Sequence, residues 1–234
     1  MLAVFKREFK SYFTSMTGYL FMAFIIFFVG LYFVGYNLTN GYPKFSYALY
    51  SLNFVFMIAV PILTMRVFAE DRKNRTDQLL FTAPVPMTAI VLGKYFAMLA
   101  VFGIVCLLCA ICPLLLSMYG TISFVSDYGM LLAFFLIGSA YLAIGMYISS
   151  KTESPVLACI GTFAVLLILY LLSSIGSQMP VEAVGDFLTS ISLNEKLYNF
   201  TQDLIDVTSY IYYASVAGFF VFLTVQSINK RRWN

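Results

Sequence analysis

Long uncharged apolar stretches alternate with short polar segments along the whole chain. They cover 17–36, 47–65, 95–119, 128–149, 155–175 and 209–228, and none contains Asp, Glu, Lys or Arg. A helix crossing the hydrocarbon core of a bilayer needs about 20 mostly apolar residues. Barrel strands are roughly half that length and alternate apolar with polar. The pattern therefore predicts an all-α integral membrane protein with six transmembrane helices, and residues 1–234 form a single transmembrane domain. Pro61 and Pro113 fall inside the second and third stretches. Each removes a backbone donor, and neighbouring helices in a bundle can satisfy the carbonyl it frees.

Three segments between the spans carry patterns of their own. In 1–16, Leu2, Phe5, Phe9, Tyr12, Phe13 and Met16 recur at helical spacing, with Lys6, Arg7, Glu8 and Lys10 beside or opposite them. That spacing predicts an amphipathic helix lying in the membrane interface. A plain anchor and a docking element both suit it. In 66–94 the run RVFAEDRKNRTDQLLFTAPVPMTAIVLGK is the most polar part of the chain. Thr76 can cap a short helix with Asp77 in its first turn, Leu79, Leu80 and Phe81 supply an apolar patch, and Pro84 and Pro86 end it. A docking surface and a solvated loop both remain open. In 176–208, Val181, Val184, Phe187, Leu188 and Ile191 recur at helical spacing, and so do Leu193, Leu197, Phe200, Leu204 and Ile205. Two short amphipathic helices follow, as a surface hairpin or as re-entrant, gate-like packing.

Charge then sets the orientation. Of the 14 Lys and Arg residues, only Lys44 and Lys196 fall on one side of the six spans; all the others fall on the opposite side. Short loops rich in Lys and Arg stay in the cytoplasm, so both termini are expected there. The 176–208 segment is then external. The first span is too long for the apolar core of a signal peptide and has no small-x-small site after it, so it reads as retained. Composition agrees with the pattern. The chain is 61% apolar and 11% charged, with a mean hydropathy of +0.88, where soluble domains carry about 25% charged residues. A net charge of +3 is too small to point to nucleic acid.

Most catalytic chemistry is excluded. There is no histidine, which removes His-ligated metals and Ser–His catalysis. Cys106, Cys109 and Cys112 make a CxxCxxC run, but they sit mid-span among apolar residues and read as small hydrophobes, so no metal site is expected. Gly93-Lys94 resembles the end of a P-loop, yet Thr88 and Tyr95 stand where that motif needs glycine and Ser or Thr. The Asn37 and Asn199 glycosylation patterns carry little weight. Gly138, Ser139, Ala140, Ala143 and Gly145 in the fourth span permit close helix contact. With no Asp, Glu, Lys or Arg in any apolar stretch, proton-coupled transport and intramembrane proteolysis are both disfavoured. A channel or secondary carrier stays possible. So does a structural subunit of an envelope or motility machine, and so does the membrane half of a machine driven from the cytoplasm.

The last of these is where the residues lead. The run EDRKNRTDQLLFTAPVPMTAIVLGKYFAML has an acidic–basic stretch, a Thr with an acid, Leu-Leu, Pro, and Gly-Lys opening a helix. With FTQDLIDVTSYIYY and the ending NKRRW, it resembles the permease subunits of type-2 ABC transporters. Within these it is most similar to small bacterial permeases related to the gliding-motility permease. Arg75 and Asp203 depart from residues common there, where glycine is frequent. The resemblance implies an exporter in the bacterial plasma membrane. Two permeases, identical or paralogous, would pair and bind two ATPase subunits, which would carry the ATP and Mg. Phe5, Lys6, Arg7, Phe9 and Lys10 would belong to the interface helix. Glu70, Asp71, Arg72, Arg75, Asp77, Leu79 and Leu80 would form the coupling helix seated in the ATPase. Phe187, Leu188, Leu197 and Phe200 would belong to an external gate. The chain itself would be no enzyme.

Overall fold

A computed structural model of the chain describes residues 1–74, 86–119, 123–176, 185, 189–202 and 206–232. Among them there are helices and no strands. The helix α1 (Leu2–Thr14) turns at Ser15 into α2 (Met16–Tyr32), which continues as a π-helical segment, Phe33–Thr39. Buried Asn37 closes that segment, its Nδ2 donating to the carbonyls of Tyr42 and Lys44, each at 2.9 Å. Then follow α3 (Ser46–Thr64), the short α4 (Ala69–Lys73) and α5 (Met87–Cys109). After Ala110 the chain resumes as α6 (Ile111–Leu116), which contains Pro113. Without an N–H, Pro113 leaves the Cys109 carbonyl without a helical donor, and the break falls beside that residue. The remaining helices are α7 (Phe124–Lys151), α8 (Pro155–Gly176), α9 (Leu193–Thr201) and α10 (Val207–Arg232).

Among the described residues, six stretches are long and apolar enough to cross a membrane: Met16–Thr39, Ser46–Lys73, Met87–Leu116, Phe124–Lys151, Pro155–Gly176 and Val207–Lys230. Their number and order agree with the hydropathy pattern. Most run a turn or more beyond the uncharged windows, because apolar windows mark the hydrocarbon layer and not the ends of helices. Two charges expected in flanking loops thereby lie on helices and are buried, Lys94 on α5 and Asp127 on α7.

The bundle is built around α7, which packs on α10, α3, α8 and α5. The small residues of its middle make this possible. A Cβ on Gly138 would lie 2.3 Å from Cε1 of Phe102, and one on Gly145 would lie 2.5 Å from Oγ1 of Thr64. Phe56, Phe102, Phe134 and Tyr141 fill the centre, with the Phe56 and Phe102 rings stacked at 4.6 Å. By contrast α2 and α8 are the least covered spans.

At the end opposite α1 and α4, helix α9 is packed into the bundle. Leu193, Leu197 and Phe200 are buried. Ser192 caps the helix, accepting from the Glu195 N–H at 3.4 Å. The hydroxyls of Tyr213 and Tyr212 donate to the carbonyls of Leu193 and Ile191 at 2.9 and 2.7 Å. Asn53, buried in α3, donates to Oδ1 of Asn194 at 3.0 Å. Phe187 and Leu188 lie outside the described residues. Asn194→Ala should cost about 1 kcal/mol, because it strands the Asn53 amide in a dry contact. Hydrogen exchange would then rise at the backbone amides of α9 and not at those of α5; equal exchange at α9 in the variant and the wild type would show that the Asn53–Asn194 bond does not hold α9.

Candidate functional site at the charged end of the bundle

The charged end gathers α1, the α3–α4 turn, and the ends of α5 and α7. Its centre is Lys94, only 2% exposed. Lysine is almost never so buried unless paired. Its Nζ donates to the Val67 carbonyl at 2.8 Å and to Oδ2 of Asp71 at 2.6 Å, and lies 3.3 Å from Oε1 of Glu8. The ammonium also stands 5.2 Å from the centre of the Phe68 ring, a distance at which a cation is attracted to a ring face. One cation thus ties together α1, the inner segment and α5. Gly93, just before it, lets α1 come close: a Cβ there would lie 3.0 Å from Val4.

A second set of bonds surrounds the first. Arg66 grips the Glu70 carboxylate through Nε and Nη2, the latter at 2.8 Å, and its Nη1 donates to the Thr17 hydroxyl at 3.1 Å. Arg72 reaches the end of α7, donating to the carbonyls of Ser150 and Thr152. The backbone N–H groups of Phe68 and Ala69, at the start of α4, both donate to Oγ of Ser149 at 3.2 Å. The five-residue α4 is therefore fastened to α5 by Asp71, whose partner Lys94 also meets Glu8 on α1, to the α3–α4 turn by Glu70, whose partner Arg66 reaches Thr17 on α2, and to α7 by Arg72 and Ser149. Between these groups lies a polar cleft of about 210 Å³, lined among others by Glu8, Ser11, Tyr12, Thr17, Arg66, Glu70 and Lys94. Burial, reinforced by the Glu8 charge, pushes the Tyr12 phenol well above its ordinary range, so it faces the cleft as a neutral group.

The residues singled out from sequence fall into three groups. Glu70, Asp71 and Arg72 are brought together here, with their charged groups turned onto this same chain. Arg75, Asp77, Leu79 and Leu80 lie outside the described residues. On α1, Phe5 and Phe9 are half-buried with stacked rings, while Lys6, Arg7 and Lys10 are exposed, Arg7 donating to Glu8 at 2.7 Å. Leu2 and Met16, expected on the apolar face of α1, are 82 and 86% exposed. The rest of that face, Phe5, Phe9, Tyr12 and Phe13, packs on the protein, and Val4 and Glu8 beside it meet Gly93 and Lys94. Lys94, Glu8, Arg66, Thr17 and Ser149 were not legible as partners. Their only signal was a lysine opening an otherwise apolar helix and a lone acid on a basic helix.

Cys106 and Cys109 are buried free thiols in the core, and no cluster able to hold a metal occurs among the described residues.

These features define a class: a six-span helical membrane protein whose spans are wired together at one end by a short charged helix. The family model of the ABC-2 family transporter proteins matches residues 35–228, well over half of the chain. The chain belongs to that family and is a permease component of an ABC transporter. The match takes in α4 and Lys94 and leaves α1 outside it. No curated relative matches the chain.

Proposed function

We propose that this permease couples ATP hydrolysis by a partner ATPase to the export of a substrate. The observation that carries this reading is the wiring of α4. A push on a free helix would be absorbed by its own motion. A push on α4 is delivered through Asp71–Lys94 to α5 and α1, through Glu70–Arg66 to Thr17 on α2, and through Arg72–Ser150 to α7. Glu70, Asp71 and Arg72 are then transmitting residues. Lys73 and Asn74, exposed on the outer side of α4, begin the contact with the ATPase, and Arg75, Asp77, Leu79 and Leu80 continue it. Lys6, Arg7 and Lys10 on α1 flank that contact, while Phe5 and Phe9 seat the helix. The charge bias puts this end and both termini in the cytoplasm, with the protein in the plasma membrane. ATP and Mg belong to the ATPase. A second permease, identical or paralogous, would cover α2 and α8, whose apolar residues Phe27, Leu31, Ile160 and Ile168 are exposed. Leu197 and Phe200 on α9, with Phe187 and Leu188, would gate the external side. The narrower kinship with gliding-motility permeases rests on the C-terminal run.

The test is co-purification of the tagged protein in mild detergent. A P-loop ATPase should be recovered in a stoichiometric amount, and Lys73→Glu should lower its recovery several-fold without changing the amount of folded permease. A stable complex free of any ATPase would overturn the reading in favour of a self-sufficient channel or carrier.

A further inference from the structure

A groove of about 910 Å³ runs along the outside of the bundle between α5 and α7, and the start of α1 closes one end of it. This volume is at the upper end of the roughly 300–1,000 Å³ of small-molecule sites. Its walls include Phe5, Phe96, Gly103, Leu107, Leu132 and Phe135. The lining is apolar but for the Tyr128 hydroxyl, which donates to the Ala110 carbonyl at 3.3 Å. Gly103 recesses one wall: a Cβ there would meet only the edge of Phe135, at 3.8 Å. From Phe96 to Ala110 the groove follows the helix for about 21 Å. That is more than one leaflet of a hydrocarbon core about 30 Å thick, so an acyl chain entering at the charged end has room along its whole length.

The closed end bears positive charge. Leu2 lines the groove, and Lys6 and Lys10 stand one and two turns further along the same side of α1, both exposed. Basic side chains at a membrane surface attract anionic headgroups. A spanning helix from a second copy would collide with Leu2 and Phe5 at that end, whereas an acyl chain ends there and hands over to its headgroup.

We propose that this groove holds an acyl chain of an anionic phospholipid from the leaflet at the charged end, with the headgroup on Lys6 and Lys10. Bound there, the lipid braces the start of α1 against α5 and α7. Lys6 and Lys10 also flank the ATPase contact proposed above, but the test is independent of it, since it reads lipid retention in the absence of any ATPase.

The test is native mass spectrometry of the full-length protein reconstituted in an equal mixture of phosphatidylcholine and phosphatidylglycerol, then extracted in mild detergent. The wild type should retain phosphatidylglycerol in preference to phosphatidylcholine. Replacing Lys6 and Lys10 by Gln should lower that retention about twenty-five-fold, from a factor of about five for each charge. Gly103→Phe, which fills the groove, should abolish retention of both lipids, while Ile168→Phe on the exposed side of α8 should leave it intact. Equal retention of the two lipids by the wild type would overturn the proposal. So would unchanged retention in the lysine variant, or an equal loss in Ile168→Phe. If Gly103→Phe does not fold, the lysine variant decides, because both side chains are exposed and away from the core. If Gly103→Phe instead abolishes a dimer and leaves lipid retention untouched, the groove belongs to a second copy and the proposal fails.

Discussion

Lys94→Met is expected to destabilise the protein by about 3 kcal/mol. Methionine has nearly the length of lysine and no donor, so the packing survives and the bonding does not. The Val67 carbonyl loses its 2.8 Å partner, and the Asp71 and Glu8 carboxylates lose the cation that joins them. Removing one member of a buried ion pair typically costs about 3–5 kcal/mol, because the other is left uncompensated. Asp71 and Glu8 keep 24 and 15% of their side-chain surface, so water relieves part of the loss and the lower end applies. Unfolding in detergent is best followed as a half-life at fixed temperature. Combining Lys94→Met with Asp71→Asn should recover part of the loss, as coupled neighbours do in a double-mutant cycle. An unchanged half-life in the single variant would mean that Lys94 is not the tie described here. Under the proposed function the same variant should also lose ATP-driven transport more steeply than stability, since three elements would no longer move as one.

Gly145→Val is expected to cost about 2–3 kcal/mol by a different route, within the usual range for overpacking, about 1–3 kcal/mol. The new Cβ would fall 2.5 Å from Oγ1 and 2.9 Å from Cβ of Thr64. Thr64 is short and branched, its hydroxyl already donates to the Val60 carbonyl at 3.1 Å, and it has no free end to swing away. Helices α3 and α7 must then move apart where α3 leads into α4. That movement also pulls Ser149 away from the N–H groups of Phe68 and Ala69. Gly30, on the exposed side of α2, is the contrasting case: a Cβ added there would meet nothing within 4 Å. Gly30→Ala should therefore be neutral or stabilising by up to about 1 kcal/mol through helix propensity. Equal thermal stability of the Gly145 and Gly30 variants would show that the α3–α7 contact is looser than its geometry states.

The sequence carried the parts of this fold that depend on local pattern. Six uncharged windows predicted six spans, and the Gly138–Gly145 stripe predicted where helices approach most closely. The amphipathic helix at the start of the chain was legible as well: Phe5, Phe9, Tyr12 and Phe13 of its apolar face pack on the protein, while Leu2 and Met16 are exposed and Val4 and Glu8 are half-buried. An amphipathic helix in the interface has two partners, lipid and protein, and its periodicity does not say which covers which side. The charged network was not legible, for a related reason. Lys94 binds Asp71, 23 residues back, and Glu8, on another helix, and nothing in one sequence links such positions. A lysine just before an apolar window reads as a loop charge obeying the inside bias, when it is in fact on the helix, about two turns from its start. The inner segment was correctly picked out as unusual. Its first acids and arginine prove to be fastened inward, which shifts the proposed contact surface toward Lys73 and beyond.

The wiring of α4 also constrains the order in which the protein is made. When the first two spans have entered the bilayer, Glu70 already has Arg66, four residues away. Asp71 must wait for α5. The N–H groups of Phe68 and Ala69 and the guanidinium of Arg72 must wait longer still, for Ser149, Ser150 and Thr152 at the far end of α7. Until the fourth span has been inserted, the charged end stays open to water and to chaperones. A chain halted after its third span would hold α4 by Glu70 and Asp71 alone, with the partners of Phe68, Ala69 and Arg72 still missing.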